Sequence, residues 1–135
     1  MKCLCAGTRR AARLITQLYE AELRKVELTA AQFELLSTLR GRPGAPQSIL
    51  AETLGLNQTT LSRNLAILLE KDWIESDGSP GDKRKTLYKL SREGLAVWNR
   101  ALPHWRHAQD GLRKSLGADW ETVQSALEKL AGVSP

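Results

Sequence analysis

Apolar positions recur every three or four residues along most of this chain, and Gly, Pro, Asn and Ser fill the intervals between these stretches. The first stretch predicts a helix over about 8–24. Ala11, Ile15, Tyr19 and Leu23 form one i,i+4 row, with Leu14 and Leu18 in a second row beside it, a face wider than a lone surface helix needs. Thr29-Ala30-Ala31-Gln32 has the form of a capping box and predicts a second helix with Phe33, Leu36 and Leu39 inward. Gly41, Pro43, Gly44 and Pro46 then break it. A short third helix is expected over about 47–54, with Ile49, Leu50 and Leu54 apolar, and Gly55 suits the left-handed position after its last turn. Asn57 is a good N-cap for a fourth helix over about 58–71, whose buried stripe is Leu61, Leu65 and Leu68. Two helices joined by Leu54-Gly55-Leu56-Asn57 make a helix-turn-helix.

Beyond Lys71 the period changes. Residues 73–76 and 85–90 read as short strands around the turn-rich Asp77-Gly78-Ser79-Pro80-Gly81-Asp82, a hairpin with a polar, partly basic tip. Leu87 and Leu90 have opposite parity, so alternation leaves the buried face of the second strand open. Ser91 can cap a long helix reaching about Leu116, roughly 37 Å at ~1.5 Å per residue. Leu95, Trp98, Leu102, Trp105, Leu112 and Leu116 give it a coiled-coil-like seam, and Pro103 inside it predicts a kink. Gly117 stops it, and a last helix over about 119–131 carries Trp120, Val123, Leu127 and Leu130.

The predicted fold is mainly α with a small β-hairpin wing. A winged helix-turn-helix over 29–92 lies within a single 1–135 protomer, flanked by helical regions 1–28 and 93–135. The flanking apolar faces exceed what the chain can cover, and leaving them wet is costly at ~25 cal/mol per Å². They predict a homodimer knitted by the first, fifth and sixth helices. The alternative is a monomer in which these helices fold back on the winged helix. In a dimer the two reading helices would face half-sites of a pseudo-palindrome about 34–36 Å apart.

Charge sharpens the picture. Twenty Lys and Arg face 15 Asp and Glu, a net +5, which favours polyanionic partners. Lys83, Arg84, Lys85, Lys89 and Arg92 cluster in and after the hairpin. On the fourth helix, Thr59, Arg63, Ala66 and Glu70 lie opposite the leucine stripe, with Thr60 and Ser62 on the flanks. This small, polar N-terminal half suits a DNA groove: hydroxyls, Gln58 and Arg63 can bond base edges or phosphates. Lys83, Arg84 and Lys85 can reach phosphates or a minor groove, and Ser91 and Arg92 close the same side. Lys25, Arg40 and Arg42 are further candidates for phosphate contact. The competing reading of each set is a solvated polar face.

At these residues the chain resembles the MarR family of winged-helix transcription regulators. The resemblance is carried by Asp82-Lys83-Arg84-Lys85-Thr86-Leu87-Tyr88-Lys89-Leu90-Ser91-Arg92-Glu93-Gly94, by the helix-turn-helix from Leu50 to Arg63, and by Leu28-Thr29-Ala30-Ala31-Gln32-Phe33. It implies a homodimer on palindromic double-stranded DNA, usually a repressor. It also implies an effector pocket between the winged-helix and dimerisation regions, filled in many members by small phenolic or lipophilic molecules. It assigns Asp82 to steadying the wing and Arg84 to contacting DNA.

Cys3 and Cys5 stand at the N-terminus, read as lying before the first helix. Some members of the resembling family sense oxidants through an N-terminal cysteine, and Lys2, Arg9 and Arg10 nearby would favour a reactive thiolate. His104 and His107 share a helical face and with the cysteines would form a Cys₂His₂ set, but Cys-x-Cys is tighter than usual structural zinc spacing. No metal or cofactor is therefore expected. Two cysteines, no bilayer-length apolar run and no signal-peptide pattern point to a cytoplasmic protein without membrane contact. Phosphate loops, dinucleotide fingerprints and nucleophile elbows are missing from the sequence, so an enzyme is not expected. The remaining alternative is a winged-helix homodimer that binds a protein partner in place of DNA.

Overall fold

The computed structural model describes residues 2–77 and 81–133, apart from the Lys83 side chain. The predicted hairpin turn at Gly78-Ser79-Pro80 lies outside the described residues. In chain order the elements are α1 (Leu4–Leu23), a 3₁₀ turn (Arg24–Val26), α2 (Ala30–Gly41), β1 (Ala45–Pro46), α3 (Gln47–Leu54), α4 (Gln58–Glu70) and β2 (Ile74–Ser76). A second 3₁₀ turn (Lys83–Lys85), β3 (Leu87–Leu90), α5 (Arg92–Leu116), a third 3₁₀ turn (Gly117–Asp119) and α6 (Trp120–Ala131) follow.

Local chemistry sets most of these boundaries. The Thr29 side chain accepts the Gln32 N–H and the Gln32 side chain accepts the Thr29 N–H, so the capping box that starts α2 is complete. Gly55 ends α3 at φ 63°, a left-handed conformation that suits glycine. Asn57 Oδ1 accepts the Thr60 N–H at 2.8 Å and starts α4. Ser91 Oγ accepts the Gly94 N–H at 3.0 Å and starts α5. Helix α5 stays helical through Pro103. Helix α1 begins four residues earlier than its apolar pattern suggests, so Cys5 lies in its first turn and Cys3 is its N-cap residue.

The wing is a three-stranded antiparallel sheet in the order β1-β3-β2. Ala45 pairs with Tyr88 on one side, and Ser76 pairs with Tyr88 on the other. Tyr88 is buried and Leu87 is exposed, which settles the parity of β3. The core collects Leu36, Leu39, Leu50, Leu61, Leu65 and Leu68 from α2, α3 and α4. Leu23 of α1 and Val97 and Ala101 of α5 join the same core, so the flanking helices share it with the winged helix. Phe33 stacks on Trp98 and Trp105, with centroids 6.4 and 6.1 Å away.

Elsewhere the flanking helices remain bare. Leu14, Leu18, Leu95, Leu127 and Leu130 are all exposed, and no described residue of α6 is buried. The accessible surface is 9619 Å². A compact monomer of this mass exposes about 7,000 Å². No helix among the described residues is long and apolar enough to cross a membrane.

Candidate nucleic-acid interface

Leu61, Leu65 and Leu68 pin α4 to the core, and this fixes which residues turn outward. Thr59 and Arg63 are exposed on the opposite face, and Thr60 is half-buried at its edge. The first-turn N–H groups of α4 add the positive end of a helix beside these side chains. Gln58 is half-buried, and its Nε2 is a buried amide nitrogen with no hydrogen-bond partner.

Ser62 does not join the outward set. Its Oγ accepts Gln47 Nε2 at 2.6 Å, and the Tyr88 hydroxyl donates to Gln47 Oε1 at 3.3 Å. Gln47 is 1% exposed. Burial, and then the Asp77 carboxylate, push the Tyr88 phenol above its ordinary range. One buried amide thus ties the recognition helix to the wing strand. Its sequence signal is spacing: Gln47 stands on the same helical row as the inward Leu50 and Leu54.

The wing presents its cations from the second 3₁₀ turn. Asp82 Oδ1 accepts the Arg84 N–H at 3.0 Å, and the Asp82 carbonyl accepts the Lys85 N–H at 3.0 Å. Asp82 therefore clamps the backbone of the turn, and Arg84 and Lys85 are exposed. This turn packs against α3, which places it on the helix-turn-helix side of the sheet. Lys83 belongs to the same turn, but its side chain lies outside the described ones. Arg92 is exposed at the start of α5.

Ser91 is corrected from a surface contact to a structural one. It is 7% exposed, and its hydroxyl caps α5 and donates to the Asp72 carbonyl at 2.5 Å. Gly94 explains the glycine of the wing motif: a Cβ there would lie 1.8 Å from the Trp73 carbonyl oxygen. Among the outlying cations, Lys25 pairs with Glu22 at 3.0 Å and Arg40 lies 4.3 Å over the Trp98 ring. Arg42 Nη1 donates to Thr53 Oγ1 at 3.3 Å.

The Cys₂His₂ arrangement is not formed. His107 Nδ1 lies 2.8 Å and His104 Nδ1 3.5 Å from the Glu22 carboxylate, near the C-terminal end of α1. Cys3 and Cys5 are exposed free thiols at the other end of that helix, roughly 25 Å away at 1.5 Å per residue. Among the described residues no group of three or more His, Cys, Asp or Glu side chains is arranged to hold a metal ion.

A groove of about 490 Å³ opens between α1, α2 and α5. Tyr19, Phe33 and Trp105 give it an aromatic wall, and Glu34, Ser37 and Thr38 supply polar groups. The Tyr19 hydroxyl bonds Gln109 of α5, closing one side.

A family model described as the MarR family matches residues 28–86. The multiple antibiotic resistance protein MarR of Salmonella typhimurium is 35% identical over 112 residues, covering 80% of this chain and 76% of that protein. The M. tuberculosis transcriptional regulator MosR, crystallised in complex with DNA, superposes with a TM-score of 0.86 at 33% identity, over 96% of this chain and 94% of that chain. A cysteine-to-serine mutant of MarR from E. coli, complexed with operator DNA, gives 0.82 at 28% identity over 94% and 92%. With its sequence, its wing and its exposed recognition helix in agreement, this chain belongs to the MarR family of DNA-binding winged-helix transcription regulators, which are not enzymes.

Proposed function

We propose that this protein is a repressor that binds a pseudo-palindromic operator as a homodimer and leaves it when a small molecule occupies the groove between α1, α2 and α5. One observation carries the DNA reading: α4 turns Thr59 and Arg63 outward while its leucines are locked in the core, and the basic 3₁₀ turn packs against α3, the other helix of the helix-turn-helix. Thr59, Thr60, Arg63 and the edge of Gln58 read bases in the major groove. Lys83, Arg84, Lys85 and Arg92 hold phosphates, with Asp82 setting the turn that presents them. The dimer is supported by the excess accessible surface and by the bare leucines of α1, α5 and α6. Two relatives of the same fold, MosR and MarR, are known in complexes with DNA.

The groove supports release because its walls belong to both regions: α2 is part of the winged helix, and α1 and α5 flank it. A ligand that wedges these helices apart shifts the spacing of the two α4 helices.

The test is binding of a selected operator followed by fluorescence anisotropy at rising salt. A dimer that neutralises six to ten phosphates loses about 10³–10⁵ in affinity between 50 and 200 mM salt. A nearly flat salt dependence, or no duplex selected, would favour the protein-interaction alternative.

A further inference from the structure

The groove between α1, α2 and α5 has one charged side chain in its described wall, Glu34. The rest is apolar, aromatic or hydroxyl-bearing: Tyr19 and Trp105 supply ring surface, with Phe33 packed behind Trp105, and Ser37 and Thr38 supply hydroxyls. A second carboxylate stands close by, because Glu20 Oε1 accepts the N–H of the wall residue Ala30 at 3.2 Å. That carboxylate offsets the positive end of α2. The Arg40 guanidinium, two turns along α2 from Phe33, is stacked over Trp98, outside the wall.

We infer that this groove takes a cationic aromatic ligand, an aryl-alkylammonium, whose charge faces Glu34 and whose ring lies against Tyr19 and Trp105. The inference rests on the effector reading above and gives it a ligand class, one that differs from the acidic phenols within the class the family resemblance implies. An acidic ligand would set its carboxylate beside Glu34 with no cation in the described wall to pair it, a like-charge contact. An ammonium gains the carboxylate and the negative faces of the rings together. Although Glu34 is exposed, the protein packed around it raises its carboxyl above the usual range, and a cation beside it would offset that effect. The volume, about 490 Å³, lies within the range of small-molecule sites.

The test compares benzyltrimethylammonium, whose charge is independent of pH, with salicylate and with phenol. Binding to the full chain is measured by calorimetry, and release of a bound operator is measured separately by anisotropy. The expected result is that benzyltrimethylammonium binds more tightly than either other probe and loses about tenfold in affinity in Glu34→Gln. Salicylate should gain, not lose, in the same variant. Glu34 is an exposed helical residue, and Glu34→Gln keeps its size, so the fold is retained. Tighter binding of salicylate, equal binding of all three probes, no binding of the ammonium, or an ammonium affinity unchanged by Glu34→Gln would overturn the assignment. Ammonium binding without operator release would uphold the ligand class and overturn the effector reading. Salicylate binding with operator release would do the opposite.

Discussion

Gln47 Nε2 donates to Ser62 Oγ at 2.6 Å, and through this bond a fully buried amide sets the recognition helix against the wing. The other end of the same amide accepts the Tyr88 hydroxyl of β3. Helix and wing are then not independent probes, because they share one polar link inside an apolar core.

Gln47→Leu keeps the bulk of the side chain but leaves the Ser62 and Tyr88 hydroxyls without this partner. A buried polar group stripped of its partner costs about 1–3 kcal/mol. Urea denaturation should show a loss of that size, accompanied by weaker operator binding. A wild-type midpoint would show that water or a rearranged neighbour replaces the amide.

Gly94→Ala sets a methyl group 1.8 Å from the Trp73 carbonyl oxygen, where backbone must move. Overpacking of this kind costs about 1–3 kcal/mol, occasionally more. Gly111 lies on the same helix with nothing within 4 Å of where a Cβ would stand, so Gly111→Ala should stabilise by about 0.5–1 kcal/mol. Thermal melts of the two variants should move in opposite directions. Equal shifts would mean that the Trp73 contact does not explain the glycine.

Glu22 joins α1 to α5. Hydrogen bonds from Lys25 and then His107 hold its carboxyl at about 2, below the usual 4.5, with His104 assisting. A carboxyl depressed by folding stabilises the native state above its unfolded value. That stabilisation is fully present above about pH 4.5 and is lost as the pH falls toward 2. The stability gap between wild type and Glu22→Gln should therefore close as the pH falls across this acid window. A gap that stays flat to about pH 2 would contradict the clasp.

Arg84→Ala should weaken binding to all duplexes alike and lower the salt slope by about one ion. Arg63→Ala should cost about 1–3 kcal/mol at particular base pairs and relax the preference there. Competition among operator variants separates the two effects. A change of sequence preference in Arg84→Ala with affinity intact would reverse the assigned roles.

Much of this architecture is legible in the residue pattern because the apolar rows and the caps agree. Thr29, Gly55, Asn57 and Ser91 each sit at the helix end their chemistry predicts. The strand β1 is not legible, since Ala45-Pro46 is two residues long and stands among helix breakers; its pairing with β3 is a tertiary effect. The start of α1 is missed because Gly7, Thr8, Arg9 and Arg10 separate Leu4, Cys5 and Ala6 from its apolar rows. Within the site, helical periodicity correctly turns Thr59 and Arg63 outward. It cannot distinguish a flanking serine that faces DNA from one that faces Gln47, because that choice depends on how α3 packs against α4. Ser91 shows the same limit: its cap is written in the sequence, but its burial depends on the Asp72 carbonyl from another element.

The central claim is that two copies of this chain present their α4 helices to successive major grooves on one side of a duplex. Hydroxyl-radical footprinting of the selected operator tests it most directly. Two protected half-sites related by a dyad, with centres about 10–10.5 base pairs or a multiple of that spacing apart, are the predicted result. Protection of a single half-site, or of two sites on opposite sides of the duplex, would contradict it.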